Sequence, residues 1–169
     1  GHQPAPMVFA GKVLADVVRL IKGDRYRSRL ISKIMFGAYN KRIKNVRTVN
    51  DWLTRDEAVV DEYNAGKLTT FLFTVNGYRG LMNMILYVRK PRNIERIPKN
   101  LPMLMISGLD DPVGEYGKGV YRAYNSYHGH IDDIDLRLYE DCRHELCNEL
   151  NKEEIYEEIY GWIMNHMSK

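Results

Sequence analysis

Little in this chain points away from an ordinary globular protein. Its 169 residues include only two cysteines, Cys142 and Cys147, and six prolines. Two cysteines so close together would close a tiny loop and constrain the unfolded chain very little. A disulfide scaffold is therefore excluded, and two free thiols in a reducing cytoplasm are expected. No run approaches the roughly 18 consecutive apolar residues of a membrane span. The opening Gly1-His2-Gln3-Pro4-Ala5-Pro6 has neither the charged n-region nor the apolar stretch of a signal peptide. Charge of one sign is scarce as well: 25 Lys and Arg stand against 22 Asp and Glu, a net +3. That balance excludes a nucleic-acid surface as the leading feature. Basic residues do gather between Arg25 and Arg47, which reads as a solvated helical face or as an attraction for anionic lipid or an acidic partner. Serine is sparse, and none of Ser28, Ser32, Ser107, Ser126 and Ser168 lies within Gly-x-Ser-x-Gly. No repeat or low-complexity segment occurs.

What is present supports one domain with a real core. Hydrophobic residues make up 44% and charged residues 28%, an ordinary globular balance. The first half reads as helices. Val13, Val17, Leu20 and Ile21 recur at helical spacing within residues 7–22, with Gly23 as a stop. A basic helix follows over 29–36. Thr54 and Glu57 form a capping box for a third helix over 55–63, and a fourth begins near 76. Residues 90–100 are a proline-bracketed connector.

The pattern then changes. Pro102-Met103-Leu104-Met105-Ile106-Ser107 is continuously apolar, as in a parallel strand covered on both faces. A helix over 118–127 and an alternating strand over 134–139 complete a βαβ unit, so the fold class is α/β. Asn151 and Glu154 open a last helix with Ile155, Ile159, Trp162 and Ile163 on its apolar face. Two parallel strands make a poor free-standing sheet. Further strands are expected to pair with the edge of residues 102–107, from a preceding portion or another chain.

Chemistry concentrates in the loops after the two strands. Asp110 and Asp111 follow the first in Ser107-Gly108-Leu109-Asp110-Asp111-Pro112, and His144 follows the second in Asp141-Cys142-Arg143-His144-Glu145-Leu146. A hydrolytic triad needs a nucleophile, a base that takes its proton and an acid that orients the base. An acid followed by a histidine, each in a loop after a strand, is the order in which α/β-hydrolases present their last two members. Pro112 pins the backbone behind Asp111, which makes it the expected acid, with Asp110 as the rival. His144 is the expected base. Glu145 and Glu149 read as helix-entry and surface residues. His128 and His130 lack the neighbouring ligands of a metal site, and no metal or cofactor is expected.

These two motifs, with the form His144-Glu145-Leu146-x-x-Glu149, resemble those of the monoacylglycerol lipase, lysophospholipase and serine aminopeptidase branch of the α/β-hydrolases. Asp51-Trp52-Leu53-Thr54-Arg55-Asp56 and Phe71-Leu72-Phe73-Thr74 resemble cap segments of that branch. Gly1-His2-Gln3-Pro4 is similar to its turn before the cap. The resemblance implies a turn over residues 1–8, a helical cap over 9–95 and the C-terminal part of a hydrolase core over 96–169. It implies Asp111 and His144 as catalytic residues, an ester or lipid-like small-molecule substrate of acylglycerol or lysophospholipid type, and a serine nucleophile outside these residues. Met7, Phe9, Leu72, Met82, Met84 and Leu86 are either an acyl-pocket lining or helix packing. The alternatives are a catalytically inactive binding or assembly module, or one chain of a split or nicked enzyme.

Overall fold

The computed structural model describes residues 3–167. Pro4 and Pro6 open α1 (Ala5–Lys22), where the missing proline N–H is one that a first turn leaves unpaired anyway. The helix already covers residues 5–8 of the stretch expected as a turn over 1–8; Gly1 and His2 lie outside the described residues. Gly23 ends α1 at φ 84°, its N–H on Arg19 O at 2.7 Å. Ser28 Oγ accepts the Ile31 N–H and starts α2 (Arg29–Phe36), and a single 3-10 turn follows at Tyr39–Arg42.

The cap of α3 (Glu57–Ala65) differs from expectation. Asp56, not Thr54, accepts the Ala58 and Val59 N–H groups. A carboxylate at that position also faces the positive end of the helix dipole. Thr54 is instead buried, with its hydroxyl on Asn148 O at 2.7 Å. Thr74 caps α4 (Val75–Val88). The proline-bracketed connector holds one helical turn, α5 (Pro91–Ile94).

These helices share their own core. Val8, Ala15, Ile31, Val75, Tyr78 and Met82 are buried together, α1 lying along α4. Burying a side chain of this size stabilises by about 2 kcal/mol. Gly11 lets the helices approach, since a Cβ there would meet Met82 Cε at 3.1 Å. An antiparallel bridge between Arg27 and Thr74 ties the α2 entry to the α4 entry.

The second region is a parallel pair, β1 (Met103–Gly108) and β2 (Ile134–Tyr139), joined through α6 (Lys118–His128). The register runs from Met103 opposite Ile134 to Gly108 opposite Tyr139. Among the described residues the outer edge of β1 is unpaired. Met103 to Ile106 accordingly stay half-buried rather than covered on both faces. After a second 3-10 turn at Leu146–Asn148, α7 (Lys152–Met167) packs Ile155 and Ile159 against Cys142, Leu146, Ile106 and Tyr139. Asn151 precedes it, its side-chain oxygen bound by Arg55 Nη2 and the Cys142 thiol. Among the described residues no helix is long and apolar enough to cross a membrane.

Candidate active site

Parallel strands in register end at the same level, so the loops that follow them meet. Gly108, the last residue of β1, makes this contact close. A Cβ there would stand 2.0 Å from Cys142 O and 2.3 Å from Arg143 O, so the histidine loop rests directly on this glycine. The Asp110 N–H reaches Cys142 O at 2.9 Å and the Leu109 N–H reaches Tyr139 O at 2.8 Å.

Between the joined loops His144 Nδ1 stands 3.2 Å from Asp111 Oδ2. Asp111 is buried, and its Oδ1 and Oδ2 accept the N–H groups of Val113 (2.8 Å) and Gly114 (3.0 Å). Those bonds hold the carboxylate in one orientation. Asp110 is exposed, so the structure brings Asp111 rather than its neighbour to the histidine. The His144 side chain is 37% exposed, and its Nε2 has no hydrogen-bond partner among the described residues. An imidazole with Nδ1 against a carboxylate carries its proton there, which leaves Nε2 free to accept another.

The turn after Asp111 is held in a costly shape. Glu115, Tyr116 and Gly117 have φ of 52°, 55° and 84° in succession. Each non-glycine residue there costs about 1 kcal/mol. Several contacts secure it, among them the Tyr116 N–H on Asp111 O at 2.9 Å, the Arg122–Glu115 ion pair and the Arg42 guanidinium 3.6 Å above the Tyr116 ring.

The helical region reaches both loops. Phe36, Tyr39 and Trp52 form successive edge-on contacts, and Trp52 stands 5.2 Å from the His144 ring. Burial, reinforced by the Asp111 charge, pushes the Tyr39 phenol up and keeps it protonated. The backbone of residues 51–55 runs beside residues 143–149. His144 N–H and Glu145 N–H donate to Trp52 O (3.4 Å) and Leu53 O (2.7 Å). Arg143 Nη1 donates to Asp51 O and Thr54 O at 2.7 and 2.9 Å.

Glu149 overturns its expected surface role. It is fully buried and accepts from Arg55 N and Nε, Arg143 N and Leu150 N. Arg55 Nε reaches it at 2.8 Å. Burial pulls the Arg55 guanidinium down, but the hydrogen bond and charge of Glu149 outweigh that and raise it. Cys142 lies beside this pair, its thiol pushed up by burial and then by the Glu149 charge. Both cysteines are free, Cys142 buried and Cys147 exposed.

Two cavities flank the pair. A cleft of about 630 Å³ runs along the free side of β1 and takes in Ser107, Asp111 and His144. No serine hydroxyl bonds to His144 among the described residues; Ser107 Oγ is turned to Gly108 O. A second cavity of about 820 Å³ opens in the helical region beyond Trp52, walled by Phe36, Tyr63, Phe71, Phe73 and Tyr78. Of the six candidate acyl-lining residues only Leu72 lines either cavity. Met82 lies in the α1–α4 core, Leu86 packs against it, and Met7, Phe9 and Met84 are exposed. His130 bonds Ile97 O and His166 pairs with Asp133, both away from His144. The described residues hold no group of three or more His, Cys, Asp or Glu side chains placed to bind a metal.

The fold has relatives among solved structures. A carboxyl esterase from Bacillus coagulans, solved in complex with glycerol, superposes with a TM-score of 0.81 at 21% identity, over 96% of this chain and 52% of that one. A lipase in an open form matches with a TM-score of 0.75 at 22% identity, over 88% of this chain and 48% of that one. A soluble variant of the Saccharomyces cerevisiae monoglyceride lipase, bound to a substrate analogue, matches with a TM-score of 0.57 at 14% identity, over 92% and 59%. The chain thus spans about half the length of the first two solved structures it matches. No curated protein matches it. The family model described as serine aminopeptidase, S33, matches residues 5–151, and the chain belongs to that family of α/β-hydrolases.

Proposed function

We propose that this chain supplies the acid and the base of a serine-hydrolase triad acting on carboxylic esters, with Asp111 and His144 in those roles. The carrying observation is the 3.2 Å approach of His144 Nδ1 to a buried, doubly hydrogen-bonded Asp111 at the ends of paired strands. In this reading a serine outside these 169 residues attacks the ester carbonyl carbon while His144 Nε2 takes its proton. The C–O bond then breaks, and Nε2 returns the proton to the departing alcohol oxygen. Water, deprotonated by the same nitrogen, releases the carboxylic acid and restores the serine. Asp111 keeps Nε2 turned to the substrate and stabilises the transient imidazolium.

Residues 9–95 would form the cap and residues 96–169 part of the catalytic core. The aromatic cavity beyond Trp52 has the room and the apolar walls for a single acyl chain, which favours acylglycerol or lysophospholipid-type esters. Among the described residues Arg29 and Lys33 are its only charged lining residues, so an ester with an anionic phosphate head should be cleaved faster than the neutral glycerol ester of equal chain length.

A fluorophosphonate probe tests the assignment. Native preparations should yield a labelled serine on a polypeptide that carries or retains these residues. His144→Ala should abolish that labelling, and Asp111→Asn should slow it by about 10⁴-fold. No labelling, or labelling indifferent to His144→Ala, overturns it.

A further inference from the structure

We propose that Glu149 is a positioning residue for His144: clasped between Arg55 and the Arg143 N–H, it binds the histidine loop to residues 51–55 and so fixes where the imidazole meets Asp111. The inference rests on the Asp111–His144 reading and extends it to a group that touches neither side chain.

Three observations support it. Glu149 is wholly buried, yet every hydrogen bond it accepts comes from the two segments that flank Trp52 and His144 or from its own neighbour Leu150. One of those donors is the N–H of Arg143, the residue immediately before His144, at 2.8 Å. The partner guanidinium is itself oriented by a second acceptor, Asn151 Oδ1 at 2.7 Å from Nη2. The imidazole therefore hangs from a short stretch of main chain whose two sides are fixed: Arg143 by Glu149, and His144 and Glu145 by Trp52 O and Leu53 O.

Stability alone is a poor explanation for such a group. An ion pair taken out of water loses much hydration, and apolar residues of equal volume often stabilise a fold as well or better. What a buried carboxylate does supply is direction. It accepts several N–H groups at fixed angles and leaves one arrangement satisfied. Here the satisfied arrangement is the one that sets the histidine main chain against the helical region while Gly108 sets it against the acid loop. The 51–55 corner accordingly moves with the histidine loop as one body.

The test reads the imidazole directly, in the chain labelled with ¹⁵N. Two-bond ¹H–¹⁵N spectra of His144 report which ring nitrogen carries the proton, and amide exchange reports the bonds to Trp52 O and Leu53 O. In the parent chain Nδ1 should be the protonated nitrogen at a pH where the ring is neutral. Glu149→Gln places an amide NH₂ among donors. It should shift the proton toward Nε2 and speed exchange of the His144 and Glu145 amides about tenfold, the loss of one net hydrogen bond. Arg55→Lys keeps the charge without the fork, and Thr54→Val removes the hydroxyl's bond to Asn148 O together with the one it accepts from the Asp56 N–H. Both remain readable if Glu149→Gln unfolds, and each should speed the same two amides while the α1 and α4 amides stay protected. Unchanged His144 ring signals and unchanged amides in variants that merely melt earlier overturn the inference. Asp111→Asn separates the two readings. If it leaves the His144 proton on Nδ1, the acid–base assignment itself fails. If it moves the proton while Glu149→Gln does not and the Arg55 and Thr54 variants leave the two amides unchanged, only the positioning role fails.

Discussion

The helical region and the βαβ region hold together by different means. The helices close on apolar side chains of their own: Val8, Ala15, Ile31, Val75, Tyr78 and Met82 are sealed between α1, α2 and α4. The strands bury little apolar surface. Met103 to Ile106 are only half covered, and the cluster beneath the histidine loop is reduced to Cys142, Leu146 and Ile155. The difference is made up by directional contacts, above all those between residues 51–55 and 143–149. An apolar core tolerates small shifts of its members, whereas a set of hydrogen bonds at fixed angles does not. Asp111 and His144, the proposed acid and base, sit in the region that tolerates least.

That contrast can be broken at graded cost. The largest loss should come from Gly108→Ala. Its Cβ meets two carbonyl oxygens that cannot both retreat, so about 4 kcal/mol of stability is expected to disappear along with the Asp111–His144 approach. Urea denaturation and the His144 ring signals check it. Next, Tyr78→Ala empties the helical core at a cost of about 3 kcal/mol. If the two regions are held separately, amide protection falls in α1 and α4 while β1 and β2 keep theirs; uniform loss would show one cooperative unit instead.

Acid acts at the junction. Burial alone would raise the Asp51 carboxyl, but hydrogen bonds from the Thr48 hydroxyl and the Arg47 and Thr48 N–H groups, with the Arg143 charge, hold it below the usual carboxylate range. Its folded form therefore binds a proton less readily than the unfolded chain. The stabilisation is complete above the ordinary aspartate value of about 3.9 and fades as the pH falls through the lower folded value. Asp51→Asn should cost about 1.5 kcal/mol at neutral pH, and the gap to the parent should close below about pH 4. Denaturation midpoints measured against pH will show whether it does. The smallest effect belongs to Arg42→Ala, about 0.5 kcal/mol for an exposed cation over a ring, read as faster exchange of the Tyr116 amide.

Local pattern made much of this legible. Helical periodicity placed α1 and α2, and the continuous and alternating apolar runs placed β1 and β2 within a residue. The approach of Asp111 to His144 was foreseeable because parallel strands place the loops at their C-terminal ends side by side, so order along the chain stands in for proximity. Proximity without such a rule stayed hidden. Arg55 and Glu149 are 94 positions apart, and nothing in either stretch marks one as the other's partner. Glu149 in Glu149-Leu150-Asn151-Lys152 has the look of a solvated helix entry. The Thr54 capping box failed for a related reason: its hydroxyl had a distant carbonyl to bind, and Asp56 was free to cap.

The contact at Gly108 also bears on how this molecule can change over time. With Cys142 O and Arg143 O resting on the glycine, the acid loop and the histidine loop share one surface and leave no space between them. Neither can gain a residue, exchange its turn or be grafted from a relative without the other being replaced to match. The two loops can change only as a pair, and an engineer who redesigns one has already chosen the other.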